Sequence, residues 1–161
     1  MPAPFLSRIR IYPIKSLDPV ELLQAEAGVF SLLNDREFAL LARDGHFING
    51  KRIGRGSELK AEYDLPNLIV RLSPRDGGPI HSFHLYEDQK KIEIYLSDLF
   101  KEPVSLVRNT NGELMDIPPE ASVTIVSEAS FQSLHQSLSG GTMDDLRLPA
   151  ALSCHPRNWW D

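Results

Sequence analysis

Cysteine is nearly missing from this chain: Cys154 is the only one in 161 residues. A single thiol excludes an intramolecular disulfide framework and any Cys-rich zinc centre, and it suits a reducing compartment. Long apolar runs are missing too. No stretch approaches the roughly 20 apolar residues that a membrane span requires, and the opening MPAPFLSR has neither the apolar centre nor the small-residue cleavage site of a secretory signal. The expectation is a cytoplasmic protein without a membrane partner. Positive charge is in deficit, with 17 Lys and Arg against 22 Asp and Glu and a formal net charge of -5. Neutralising phosphates requires clustered cations, so no nucleic-acid partner is expected. Internal repeats and low-complexity linkers are also absent.

What the chain does have is apolar material for one core, 42% of its residues, and a dominant period of two. Ile9 and Ile11 alternate with Arg8, Arg10 and Tyr12. Ile92, Ile94 and Leu96 alternate with Lys91, Glu93 and Tyr95, and Val104 and Leu106 with Ser105 and Val107. Further strands are expected over residues 20–27, 36–42, 68–72, 82–86 and 122–126, separated by turn chemistry at Asp44-Gly45, Asn49-Gly50, Asp76-Gly77-Gly78 and Asn111-Gly112. Many short strands at such spacing predict a mostly β fold, a largely antiparallel β-barrel with one or two short helices. Helical turns are expected over 57–63 and 97–100. The strongest helix signal covers 128–138, where Ser127 is the N-cap candidate and Phe131, Leu134 and Leu138 share a face. Ile9, Ile11, Phe38, Leu40, Ile92, Ile94, Val123 and Ile125 are expected to point inward, Ile94→Ala then costing about 2–5 kcal/mol. From Gly140 the period is lost, and LPAALSCHPRNWWD reads as an irregular tail, either a segment that docks a protein partner or the stump of something longer. The expected division is therefore a β-barrel domain over 1–139 and a tail over 140–161.

Spacing alone singles out little chemistry. His81 and His84 are three apart in an alternating segment, which sends them to opposite strand faces and disfavours a shared metal. Cys154-His155 lies in a proline-flanked tail without the rigid positioning that a nucleophile or metal ligand requires. GKRIGRG, residues 50–56, offers glycines and cations but lacks the lysine–serine/threonine ending of a nucleotide-binding loop, so it reads as a basic hairpin. Asp35-Arg36 at a strand start reads as a surface turn pair of little energy. Lys15, in IYPIKSL, reads either as a solvated charge at a strand end or as an anion ligand.

A set of segments in fixed order goes further: IYPIKSL, then NDREFALL, then DGHFINGKR, then VTIVSEASFQSL leading into a helix. Together they resemble the N-terminal β-barrel domain of the MOSC superfamily, whose members include molybdenum-cofactor oxidoreductases and sulfur-carrier proteins. The resemblance implies that Lys15 and Ser16 of the Y-P-x-K-S element and Arg36 of the D-R element lie near the pyranopterin and phosphate of the molybdenum cofactor. Ser127 and Arg147 are further cofactor-binding candidates, and pyridoxal phosphate binding is a second property carried by the resemblance. An ammonium and a guanidinium suit a phosphate through charge-assisted bonds. The pattern departs at the other end. An R-x-N element and a later molybdenum-ligating cysteine are expected, whereas the chain reads DDLRLPAALSCHPRNWWD, and Cys154 has the wrong neighbours for that ligand. The expectation is a truncated relative with no catalytic residue, no metal ligand and no cofactor bound by this chain itself. The alternative is a non-enzymatic module whose cations Lys15, Arg36, Lys51, Arg52 and Arg55 hold an anionic small molecule, a pterin phosphate, or a protein partner; a folded remnant without activity is a third reading.

Overall fold

In the computed structural model, which describes residues 5–29, 31–48, 59–112, 114, 123–125, 127 and 130, the alternating segments form antiparallel pairs. Strand β1, Ile9–Ile11, faces β2, Val20–Leu22, with Ile11 opposite Val20. Strand β3, Phe38–Ala42, runs beside β7, Val104–Arg108, with Leu40 opposite Leu106. Strands β4, Leu59–Asp64, β5, Ile69–Pro74, and β6, His81–His84, make a three-stranded meander. Helix α1, Gln89–Phe100, connects β6 to β7. Among the described residues the protein is thus mostly strand, in three antiparallel sheets with one helix, and these sheets are not closed into a single barrel. All of these elements belong to one compact unit, Met1–Leu114; a second unit comprises Met115–Asp161.

Pleat parity explains the core. In β4, Leu59 and Ala61 are buried while Lys60 and Glu62 are exposed, and in β5 Val70 and Leu72 are buried around exposed Arg71. The β4–β5 turn is set by Asp64, whose carboxylate accepts the Asn67 side-chain amide at 3.0 and 3.1 Å. Helix α1 lays Ile92, Leu96 and Phe100 on this apolar layer at a spacing of four. Lys101, in the left-handed region at φ 57°, ends it.

Three expectations are corrected. Residues 91–96 are helical rather than extended, because the same apolar residues that alternate by two also fit one helix face once Ile92, Leu96 and Phe100 are grouped. Ile94 then falls on the opposite face and is 64% exposed. Residues 59–63 lie in a strand rather than a helical turn, since pairing with β5 along its whole length satisfies the backbone that a two-turn helix would satisfy alone. Val123 and Ile125 are exposed and Val123, Thr124 and Ile125 are not in a strand. Ile11, Phe38, Leu40 and Ile92 are fully buried as expected, and Ile9 is half-buried. Residues 97–100 are helical, as the last turn of α1. The helix expected over 128–138 lies largely outside the described residues, as does the division at 139.

The helix is also tied to β7 by polar contacts. Ser97 Oγ accepts the Val104 N–H at 2.9 Å, and Glu93 Oε1 accepts the Leu106 N–H at 2.9 Å. Partial burial pushes the Glu93 carboxyl up, but the Lys90 hydrogen bond and the Leu106 N–H outweigh it and hold the group below the usual range. A lowered folded pKa means that the Glu93 contribution is complete above its unfolded value and lost as pH falls through the folded one. Denaturant unfolding followed from pH 5 to pH 3 should therefore show a shallower acid loss of stability in Glu93→Gln than in the parent chain.

Candidate functional site

The IYPIKSL segment leaves β1 at Ile11 and runs alongside the start of β3. Pro13 fixes the local backbone, and its carbonyl accepts the Phe38 N–H at 3.0 Å, while the Lys15 N–H donates to the Phe38 carbonyl at 2.7 Å. One step back, the Arg36 N–H donates to the Tyr12 carbonyl at 2.8 Å and the Tyr12 N–H donates to Asp35 Oδ1 at 2.8 Å. Ile14 and Phe38 thereby form a parallel bridge, both fully buried. The sequence elements Y-P-x-K-S and D-R, more than a dozen residues apart, are stitched together main chain to main chain.

Backbone strain concentrates at this crossing. Of the five non-glycine residues with positive φ among the described residues, three are Ser16 at 71°, Asn34 at 64° and Arg36 at 50°. Such conformations cost on the order of 1–3 kcal/mol each and persist only where surrounding contacts over-determine them. Those contacts are present. Leu17 is buried and its N–H donates to the Ile14 carbonyl at 3.1 Å. Asp18 Oδ2 accepts the Ala61 N–H at 2.9 Å, and Arg75 pairs with the Asp18 carboxylate, tying the loop to β4 and the end of β5.

The side chains take separate routes. Lys15 is not a solvated strand end: it is 5% exposed, its Nζ donates to the Leu114 carbonyl at 2.9 Å, and it lies 4.4 Å from the centre of the Phe47 ring. Nor is Asp35-Arg36 a surface pair. Their side chains are largely buried, with Arg36 Nη1 at 3.2 Å from Asp35 Oδ2. Burial pushes the Asp35 carboxyl above its ordinary range against the opposing pull of the Arg36 guanidinium and the Tyr12 N–H. Ser16 is half-buried. In the second unit Ser127 Oγ accepts the Ser130 N–H at 3.1 Å, the bond expected of an N-cap, and Ser130 is helical. Arg147, the basic hairpin with Lys51, Arg52 and Arg55, and Cys154-His155 lie outside the described residues.

His81 and His84 make separate contacts on β6. His81 packs 4.6 Å from Tyr95, and His84 Nδ1 accepts the N–H groups of Tyr86 and Glu87 at 3.3 and 3.2 Å. Among the described residues no group of three His, Cys, Asp or Glu side chains is placed to hold a metal.

Sequence reasoning missed a feature next to the crossing. A cleft of about 230 Å³ is lined by Leu41, Phe47, Val107, Arg108, Asn109, Thr110, Asn111 and Leu114. Phe47 and Leu114 are also in contact with the Lys15 ammonium. Asn109 Nδ2 donates to the Arg36 carbonyl at 3.3 Å, so the cleft wall is bonded to the crossing itself. Arg108 is held by Glu37, whose Oε1 accepts from Nε at 3.2 Å and Nη2 at 3.1 Å and also from the Tyr86 hydroxyl. The one signal available in the sequence was RNTNG, which hairpin chemistry absorbs.

The arrangement defines a class before it defines a family: an antiparallel β domain in which the segment after the first strand, with a buried lysine and a strained serine, is backbone-bonded to a segment with a strained, ion-paired arginine. The family model for the MOSC N-terminal beta barrel domain matches residues 3–103, and the chain belongs to that family. No curated protein matches the sequence.

Proposed function

We propose that residues around the crossing form the cofactor-facing surface of a MOSC N-terminal barrel, with the three sheets as its wall and the Ile14–Phe38 bridge joining the first sheet to the second. The supporting observation is that the segment carrying Lys15 and Ser16 and the segment carrying Arg36 are joined by backbone bonds between residues 12–15 and 36–38, inside the family match. Ammonium, hydroxyl and guanidinium are a donor set for an anion, and they fit the phosphate of a pterin cofactor. When bound, the molybdenum cofactor would supply redox chemistry at its metal. The residues of this chain bind and orient the phosphate end. Lys15 and Arg36 supply charge and Ser16 supplies a hydroxyl.

The metal itself needs a thiolate, and residues 3–103 contain no cysteine. The role proposed for the domain is therefore anion capture without metal ligation and without catalysis of its own. Because the Leu114 carbonyl already takes one Lys15 donor and Asp35 already pairs with Arg36, an added phosphate shares these groups rather than owning them. Affinity should be on the order of millimolar and should fall with salt.

Titration with inorganic phosphate, followed by amide NMR shifts, tests this reading. The amides of Lys15, Ser16 and Arg36 should move together, and a Lys15→Met/Arg36→Gln double variant, which keeps most of the side-chain volume, should not respond. Amides that stay still in the parent chain, or shifts that survive the double variant, would overturn it.

A further inference from the structure

Asn111-Gly112 carries a reactive pairing that no contact in the fold uses up by itself. The two residues lie in a bend just past β7, with Asn111 exposed and Gly112 in the left-handed region at φ 78°. Glycine has no side chain to shield its own nitrogen, and its backbone reaches conformations closed to other residues. A side-chain carboxamide and an unshielded backbone nitrogen, the two partners of an intramolecular reaction, therefore sit on consecutive residues.

The other asparagines among the described residues lack that combination. Asn67 is followed by Leu68, and its Nδ2 donates to both Asp64 oxygens at 3.1 and 3.0 Å. Asn109 is followed by Thr110, and its Nδ2 donates to the Arg36 carbonyl at 3.3 Å. Asn34 is followed by Asp35, whose N–H donates to the Leu32 carbonyl at 3.0 Å. Position matters as well. On one side of Asn111, the Asn109 N–H donates to the Glu37 carbonyl at 2.7 Å; on the other, the Leu114 carbonyl accepts from Lys15 Nζ at 2.9 Å. Asn111 also lines the cleft to which Phe47 and Leu114 belong.

We propose that Asn111 is a site of spontaneous deamidation, and that its isoaspartate product loosens the hold of Leu114 on Lys15. The Gly112 nitrogen attacks the side-chain carbonyl carbon of Asn111. A C–N bond forms, the carboxamide nitrogen leaves as ammonia with the proton that Gly112 gives up, and a cyclic imide remains. Water opens the imide at either carbonyl, giving aspartate or isoaspartate. Aspartate adds one negative charge at the cleft and leaves the backbone as it was. Isoaspartate adds the same charge and routes the main chain through the side-chain carbon, which lengthens by one atom the short span between Asn109 and Leu114. The reaction needs water alone, and neither the site nor its chemistry depends on the phosphate reading above.

The full chain, held at mildly alkaline pH and sampled over days, tests this by peptide mass mapping with fragment ions that separate Asn109 from Asn111. Asn111 should convert to the acid about tenfold faster than Asn67 or Asn109, because Gly112 leaves the attacking nitrogen open. Asn111→Gln, whose longer side chain closes a less favourable ring, should stop conversion at that position. In NMR spectra of the aged chain, a second set of peaks should appear for residues 109–114 and for the Lys15 side chain, while β4 and β5 keep one set. Asn111→Asp, which carries the charge without the extra backbone atom, should leave the Lys15 side-chain peaks in place. Conversion at Asn111 no faster than at Asn67 overturns the site. Fast conversion to isoaspartate with a single set of Lys15 peaks, or a Lys15 shift reproduced by Asn111→Asp, overturns the coupling to Lys15.

Discussion

Ile92→Ala should destabilise the protein by about 2–5 kcal/mol, whereas Ile94→Ala, two residues along, should change stability by less than about 0.5 kcal/mol. Ile92 is fully buried in the core shared by α1 and the strands, so truncation removes apolar contacts and leaves a cavity. Ile94 is on the solvent face of the same helix. There, exchanging a β-branched residue for alanine recovers a few tenths of a kcal/mol of helix propensity, which offsets what little packing is lost. Urea unfolding of the two variants is the measurement. Similar losses for both would mean that residues 89–100 pack as a strand with a period of two, and the helical assignment would fail.

That pair of residues also shows where sequence reasoning reached its limit. KKIEIYLSDLF satisfies a strand template at Ile92, Ile94 and Leu96 and a helix template at Ile92, Leu96 and Phe100. Periodicity over six residues cannot separate them; the whole twelve-residue window, with ion pairs Lys90–Glu93 and Lys91–Asp88 at i,i+3, favours the helix. The opposite error at residues 59–63 has the same origin. LKAEYD alternates cleanly, and the deciding factor is a partner strand that begins ten residues further on. Strands β5 and β7 were legible because buried valine and leucine alternate there with exposed residues, as at Val70 and Leu72 and at Val104 and Leu106.

The site was legible in part, and for a different reason. IYPIKS and DR drew attention through their order in the chain, and the backbone bonds between residues 12–15 and 36–38 place them side by side. What spacing could not convey was burial. Lys15 and Asp35 looked like surface charges because charged residues are exposed by default; here long-range partners, the Leu114 carbonyl for one and the Tyr12 N–H for the other, allow them inside. Such partners are invisible to local pattern. Asn109 was hidden likewise, since its bond to the Arg36 carbonyl joins residues 73 apart.

Phe38→Ala should have the largest effect of any single truncation, about 3–5 kcal/mol, because Phe38 joins the core to the candidate site. Its ring is fully buried, among the largest such side chains, and stands edge-on to Tyr86 at 5.4 Å. Its main chain accepts the Lys15 N–H and donates to the Pro13 carbonyl. Removing the ring leaves a cavity directly beneath the crossing, and the strained backbone at Ser16 and Arg36 then has less around it to hold its conformation. The consequence extends beyond global stability: hydrogen exchange at the Lys15 and Arg36 amides should accelerate more than exchange in the β4–β5 pair, which meets β3 only across the core. Phe38→Leu, which fills much of the same volume, should cost clearly less and keep those amides protected. A uniform acceleration across all strands would mean that the ring supports the fold in general, whereas loss concentrated at Lys15 and Arg36 ties the strained crossing to this one side chain.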